Sequence, residues 1–226
     1  MIRYIGLDKD GTLIDSVNLI TKEWGKILHE DYGVDSKKAE EIFGVIAAGQ
    51  PTIVQLELCL KNTSFSFSKE ELGKRSSEIA VRLGENVKAE PFPEVSQVLQ
   101  KLKELGYKMF ISSGHQESVV RKDLERTNLG KYIDYFVGAR PDEPDFIKGE
   151  PQFRAIAAHF GVPFDKFVKE AVFVGDTPAD VKAANASGLI SIARIDTVQK
   201  EKLIEAGAKY VIKDLTELLE LLAFLS

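Results

Sequence analysis

Ile2-Arg3-Tyr4-Ile5-Gly6-Leu7-Asp8-Lys9-Asp10-Gly11-Thr12-Leu13-Ile14-Asp15-Ser16 stands at the head of the chain. Ile2–Leu7 is a short apolar run that stops at a carboxylate. Runs this short, bounded by turn residues, suit strands buried on both faces, as in parallel sheets. Others of the same build follow at Tyr107–Ile111, which stops at Ser112-Ser113-Gly114, and at Ile133–Val137. Ala171–Val174 stops at Gly175-Asp176, and Leu189–Ala193 and Tyr210–Ile212 complete the set.

Helical patterns lie between these runs. Val95, Val98, Leu99, Leu102 and Leu105 fall on one helical face, and Gly106 is a fitting stop. Phe153, Ile156, Ala157 and Phe160 repeat the pattern, with Pro151 near the start and Gly161 after the end. Pro178 and Gly188 bracket another helix. Strands alternating with helices predict an α/β fold, a Rossmann-like, doubly wound, mostly parallel sheet.

Residues 16–90 break the rhythm. No strand pattern stands out there, and Val17, Ile20, Trp24, Ile27 and Leu28 mark an amphipathic helix. Further helices are expected over Ser36–Ala47, Pro51–Lys61 and Lys69–Val87. The reading is an α/β core domain of residues 1–15 and 91–226 with a small all-helical domain, 16–90, inserted into it. The two connections, Asp15-Ser16 and Glu90-Pro91-Phe92-Pro93, would form a hinge, the usual build for a lid.

Composition narrows the function classes. Of 226 residues, 44% are hydrophobic and 29% charged, so the chain can bury a core and does not read as disordered. Thirty Lys and Arg against 35 Asp and Glu leave a net charge of −5, which argues against nucleic acid or an anionic membrane as partner. Cys59 is the only cysteine, which excludes intramolecular disulfides and multi-cysteine zinc sites. Charges within the first ten residues and the lack of an 18-residue apolar stretch point to a cytoplasmic protein with no membrane partner. The leucine-rich Leu215–Leu222 is expected to pack on the sheet, which leaves monomer and homodimer both open.

The strand ends carry the chemistry. In open parallel sheets ligands bind outside the carboxyl ends of the strands. Asp8 and Asp10 follow the first run, Ser112, Ser113 and Gly114 the second, and Asp176 and Asp180 the fourth; Lys148 lies in the loop Pro141–Glu150. Two carboxylates about 4 Å apart repel by roughly 4 kcal/mol at an effective dielectric near 20. Such a cluster is tolerable only with a cation or with some carboxyls protonated, and all-oxygen ligands favour magnesium or calcium over zinc. Ser112 offers a hydroxyl, and a Ser113-Gly114 turn ahead of a helix starting near Gln116 offers backbone N–H donors. Lys148 adds a positive charge. A phosphoryl group would be bound by these groups, with Asp8 as nucleophile and Asp10 handling the proton.

Asp8-Lys9-Asp10-Gly11-Thr12-Leu13-Ile14-Asp15-Ser16 resembles the first motif of the haloacid dehalogenase superfamily, DxDGTLxDS. Phe110-Ile111-Ser112-Ser113-Gly114 is similar to its second motif, and Lys148-Gly149-Glu150-Pro151 to its third, with Gly149 a departure from the common Lys-Pro-x-Pro. Val174-Gly175-Asp176-Thr177-Pro178-Ala179-Asp180 is similar to the fourth, GDxxxD. A helical cap inserted after the first motif is similar to one subgroup, which includes phosphoglycolate phosphatase-like enzymes and β-phosphoglucomutase. The resemblance implies an aspartyl-phosphate mechanism on a small-molecule phosphate ester. It makes Asp8 the nucleophile and Asp10 the general acid and base. It implies Mg2+ held by Asp8, Asp176 and the Asp10 carbonyl, with Asp180 assisting. Ser112, Ser113, Gly114 and Lys148 would bind phosphate, and Thr12 would orient Asp10. Phosphoglycolate is the substrate it suggests; a β-phosphoglucomutase-type phosphomutase is the alternative.

Other residues have plainer readings. His29, His115 and His159 are too dispersed for a metal triad. His159 reads as structural; for His115, after the phosphate loop, contact with substrate is the minority reading. Cys59 and Trp24 read as core.

Overall fold

A computed structural model gives the conformation of residues 1–140, 142–143, 145–196 and 198–225. Pro141, at the head of the loop that carries Lys148, and Ser226, the last residue expected in the core domain, lie outside the described residues. Among the described residues the sheet has six strands: β1 (Tyr4–Leu7), β2 (Lys108–Gln116), β3 (Tyr135–Ala139), β4 (Ala171–Gly175), β5 (Ile190–Arg194) and β6 (Tyr210–Ile212). Their spatial order is β3-β2-β1-β4-β5-β6, and every pairing is parallel. The expected α/β, Rossmann-like class is therefore the observed one. The chain leaves β1 toward β2 and β3, then crosses back to β4 on the other side. The carboxyl end of β1 is thus the topological switch point, where such sheets bind ligands.

The chain divides into two compact units, Met1–Asp15 with Glu90–Ser226, and Ser16–Ala89. The Ser16–Ala89 unit is helical: α1 (Val17–Tyr32), α2 (Ser36–Glu41), α3 (Thr52–Leu60) and α4 (Lys69–Asn86). The helix expected over Ser36–Ala47 instead ends as α2 and widens into a π-helical turn, Ile42–Ile46, where the Ala47 N–H reaches back to the Ile42 carbonyl at 2.8 Å. Trp24, Ile27, Leu28, Leu56, Cys59, Ile79 and Leu83 form this unit's own core. Trp24 and Cys59 are the core residues they were expected to be.

In the other unit, helices α5 (Val95–Glu104), α6 (Glu117–Arg126), α7 (Glu150–His159), α8 (Phe164–Phe167), α9 (Pro178–Ser187), α10 (Lys200–Glu205) and α11 (Thr216–Leu225) connect and follow the strands. α8 and α10 escaped the sequence reading, since four and six residues hold too little periodicity to detect. β1 and β4 are buried throughout, as strands at the middle of a covered sheet must be. Phe110, Phe153, Phe167 and Phe173 fill one layer beneath the sheet, and His159 stacks on Tyr135 with ring centroids 3.8 Å apart, a structural role.

The second strand departs from expectation. β2 does not stop at Ser112 but runs on to Gln116. Ser112 pairs with Val137 and Gln116 with Ala139, so four residues of β2 advance against two of β3. The surplus bulges out of the ladder at the strand's carboxyl end. Gly138 makes room for it: a Cβ there would lie 2.4 Å from the His115 carbonyl oxygen. The expected turn is a β-bulge, and α6 begins directly after it.

Candidate active site

Register places the pieces. Leu7 pairs with Ile111 on one side and Val174 on the other, so Asp8 emerges level with Ser112 and Gly175. The Asp8 N–H is tied to the Val174 carbonyl at 2.8 Å. Asp176 follows β4 directly, and Asp180 sits in the first turn of α9. Asp8, Asp176 and Asp180 are all buried, and each offers an oxygen within 4.8 Å of the others.

Lys148 reaches this cluster from the loop before α7. Its Nζ lies 2.7 Å from Asp8 Oδ1 and 2.7 Å from Asp180 Oδ1. Asp180 also closes a capping box: its Oδ2 accepts from the Thr177 N–H at 3.1 Å, while the Thr177 hydroxyl accepts from the Asp180 N–H at 3.2 Å. Helix cap and cluster member are thus one residue.

Asp176 is differently placed. The Thr12 hydroxyl, which the sequence reading assigned to Asp10, donates to Asp176 Oδ1 at 3.3 Å. Asp176 Oδ2 is buried and has no hydrogen-bond partner among the described residues. Gly11 turns beside it with φ of 72°, and a Cβ there would lie 2.2 Å from that oxygen. Only a glycine lets the loop pass so close.

The electrostatics follow from burial. Burial pushes the Asp8 carboxyl up to about 6, with Asp180 and Asp10 adding to the rise and Lys148 opposing it. Burial, then Asp180 and Asp8, raises Asp176 well above the carboxylate range. Burial alone would lower the Lys148 ammonium, but Asp180 and Asp8 outweigh it and raise it.

Asp10 has a separate environment. Its Oδ1 accepts from Lys9 Nζ at 2.7 Å, and its Oδ2 lies 3.2 Å from His115 Nδ1. Burial would raise its pKa, but Lys9 and His115 together hold it well below the usual range. His115, which follows the phosphate loop expected from the sequence, stands against Asp10. Lys9 went unnoticed in the sequence, where it is the variable residue between two aspartates.

Ser112, Ser113 and Gly114, read from the sequence as phosphate-binding, follow at the carboxyl end of β2, where Ser112 is level with Asp8. Ser112 is buried and its hydroxyl donates to Gln152 Oε1 at 2.6 Å. The Ser113 hydroxyl accepts from the His115 N–H at 3.1 Å, and its carbonyl accepts from Gln152 Nε2 at 3.2 Å. The Cβ position of Gly114 faces open space. Gln152 was also missed, although a fully buried amide next to Phe153 is the kind of polar residue on an apolar face that signals a partner.

A divalent cation fits this donor set. The oxygens are hard and clustered, the carboxylates Asp8 and Asp176 resist ionisation without compensation, and one buried carboxylate oxygen lacks a donor.

The family model for haloacid dehalogenase-like hydrolases matches residues 2–188. The chain belongs to the haloacid dehalogenase-like hydrolase family. It is similar to a phosphoglycolate phosphatase of Aquifex aeolicus, at 29% identity over 187 residues, which covers 83% of this chain and 82% of the relative. It is 26% identical over 218 residues to a provisionally named pyrophosphatase of Caldanaerobacter subterraneus, covering 95% and 92% of the two chains. In fold it is similar to a haloacid dehalogenase-like family protein of Streptococcus pneumoniae, with a TM-score of 0.77, 19% identity and 98% of each chain covered. The haloacid dehalogenase-like chain is an enzyme, and the expectation of a phosphatase agrees with the relatives it matches. No helix among the described residues is long and apolar enough to cross a membrane.

Proposed function

We propose that this hydrolase is a magnesium-dependent phosphatase that cleaves a small phosphomonoester through an aspartyl-phosphate. One observation carries the reading: Asp8, at the end of the central strand, shares the Lys148 ammonium with Asp180, while Asp176 beside them keeps an unpaired buried oxygen. A nucleophile, a cation for phosphate and a carboxylate oxygen suited to a divalent ion are thereby adjacent.

In this reading an Asp8 oxygen attacks phosphorus and the bond to the departing alcohol oxygen breaks, with Asp10 giving that oxygen its proton. Water then attacks the aspartyl-phosphate, Asp10 takes the proton, and inorganic phosphate leaves with Asp8 regenerated. Asp10 starts as a carboxylate held by Lys9 and His115, and takes up one proton from solvent as substrate binds, the proton it then gives to the alcohol oxygen and regains from the attacking water. The arriving phosphate dianion is a like charge that raises its proton affinity. Lys148 and the Ser112–Gly114 bulge bind the phosphoryl oxygens, for which Ser112 must turn its proton from Gln152 toward the ligand. Asp8, Asp176 and the Asp10 carbonyl would hold Mg2+, with Asp180 supporting from a position already tied to α9 and Lys148. When bound, the ion offsets charge on the transferring phosphoryl group. The Ser16–Ala89 unit, with its own core, is read as an inserted cap domain.

Phosphoglycolate heads the substrate panel because the relatives include a phosphoglycolate phosphatase, and pyrophosphate joins it because of the second relative. The test is phosphate release from phosphoglycolate, sugar phosphates, nucleoside monophosphates and pyrophosphate, with Mg2+ and with excess chelator, for the wild type and Asp8→Asn. Release that needs Mg2+ and disappears in Asp8→Asn is the expected result. No release from any ester would overturn the phosphatase reading; conversion of a sugar phosphate in the presence of its bisphosphate would establish the mutase instead.

A further inference from the structure

Lys9 is 2% exposed, and its ammonium is held by two carboxylates: Asp10 Oδ1 at 2.7 Å and Asp123 Oδ2 at 2.8 Å. Asp123 is itself fixed. It lies on α6, and its Oδ1 is 3.3 Å from Arg126 Nη2 on the same helix. α6 begins directly after the Ser112–Gln116 bulge, so the helix that anchors Lys9 also continues the phosphate loop. On the other side, His115 Nδ1 stands 3.2 Å from Asp10 Oδ2. Both Asp10 oxygens are therefore confined, one by a cation that is braced against a second element.

Stability alone does not account for this arrangement. A buried ion cluster often adds nothing over well-packed apolar groups of the same volume. Apolar residues at all three positions, Lys9, Asp10 and Asp123, would pack the same space without burying any charge, whereas loss of the lysine alone would strand two carboxylates. What the charged side chain does supply is an orientation for Asp10.

We propose that Lys9, braced by Asp123, is a positioning residue that aims the Asp10 carboxyl at the leaving-group oxygen. This deepens the phosphatase reading above and rests on it. Lys9 does not contact the phosphoryl group in this assignment; it acts through Asp10. Its loss therefore impairs proton delivery and leaves phosphate binding and the attack by Asp8 largely intact.

The leaving group makes the two effects separable. A nitrophenolate departs without a proton, whereas an alkoxide does not. The ratio kcat/KM reports the steps up to departure of the alcohol, irrespective of how fast the aspartyl-phosphate is hydrolysed. The experiment is kcat/KM for p-nitrophenyl phosphate and for a series of alkyl phosphates, with Mg2+, in the wild type, Lys9→Met, Asp123→Asn and Asp10→Asn, each checked for a cooperative thermal melt. Asp123→Asn keeps the side-chain volume and serves should Lys9→Met fail to fold. For Lys9→Met the alkyl values should fall about tenfold to a hundredfold, part of the roughly 10²–10⁴ that a positioned acid contributes, while the nitrophenyl value changes by less than about threefold. Asp123→Asn should show the same selectivity with a smaller loss, and Asp10→Asn the largest. Equal losses on both ester classes in Lys9→Met and Asp123→Asn, or no loss on either, would overturn the proposal while Asp10→Asn still behaves as an acid. If Asp10→Asn itself shows no dependence on the leaving group, the proton-transfer reading has failed, and the positioning role fails with it.

Discussion

With no cation bound, the α/β unit should show a pH-dependent weakness at its centre. Asp8 ordinarily ionises near 3.8, and in the folded chain burial and its neighbours push it up to about 6. Between those values the folded state holds a proton that the unfolded state has lost. Stability from this residue is thus complete below about pH 4 and declines as pH rises through about 6. At ~1.4 kcal/mol per pH unit the full loss is about 3 kcal/mol. Asp176, also raised by burial and its acidic neighbours, acts in the same direction and extends the decline upward. Asp10 is depressed, so its contribution is already complete above pH 4 and is lost only on further acidification. In a domain of this size 1 kcal/mol moves Tm by roughly 2–4 °C, so Asp8 alone should lower Tm by about 6–12 °C. Thermal melts from pH 4 to 8 in excess chelator should show this fall in the wild type and a smaller one in Asp8→Asn. On the proposed metal site, magnesium at about a hundred times its dissociation constant should return roughly 2.7 kcal/mol at pH 7, by binding the ionised carboxylates of the folded state alone. Parallel pH profiles for wild type and Asp8→Asn in chelator, or a melt at pH 7 that magnesium leaves unmoved, would refute the reasoning.

Three substitutions test the scaffolding of the site. Gly11→Ala puts a Cβ 2.2 Å from Asp176 Oδ2 at a φ of 72°, and should cost about 1–3 kcal/mol by denaturant unfolding and abolish phosphate release. Gln152→Leu leaves the buried Ser112 hydroxyl without its 2.6 Å acceptor, with an expected loss of about 1–3 kcal/mol and a raised KM for phosphate esters. Arg194 is buried, donates to the Thr12 carbonyl, lies 3.0 Å from Glu94 Oε1 and covers the Phe92 ring at 3.6 Å. Arg194→Met should therefore cost about 3–5 kcal/mol, and adding Glu94→Gln should recover part of it, read from the same unfolding curves.

Periodicity carried the fold because β1 and β4 are short, apolar and end at charged residues, and their neighbours repeat the pattern. Boundaries slipped where side chains do not decide them. β2 runs through Ser112-Ser113-Gly114 because β3 still pairs with Gln116 beyond the bulge, a fact held by Gly138 on another strand. Asp8, Asp176, Asp180 and Lys148 were legible as a group since each sits at a strand end or in an adjoining loop, and parallel register brings such ends together. Lys9, Gln152 and Arg194 were not. Each acts on a residue far along the chain, Asp123, Ser112 and Thr12, and nothing local in the sequence announces such a pair.

Two lysines, Lys9 buried and Lys148 partly buried, explain how so acidic a site can fold and why a metal would still suit it. Lys148 satisfies Asp8 and Asp180, and Lys9 satisfies Asp10 and Asp123. Neither ammonium is placed on Asp176, whose unpaired oxygen faces the Gly11 turn. A third lysine there would complete the charge balance and fill the position a substrate-linked cation needs. A small residue beside an unneutralised carboxylate does the reverse: it leaves both the space and the negative potential for an ion that can be exchanged. The lysines thus leave Asp176 and the upward-shifted Asp8 as the carboxyls that resist ionisation until a further cation compensates them. That is the edge at which a divalent cation would bring nucleophile and phosphoryl group together without disturbing the Lys9 brace on Asp10.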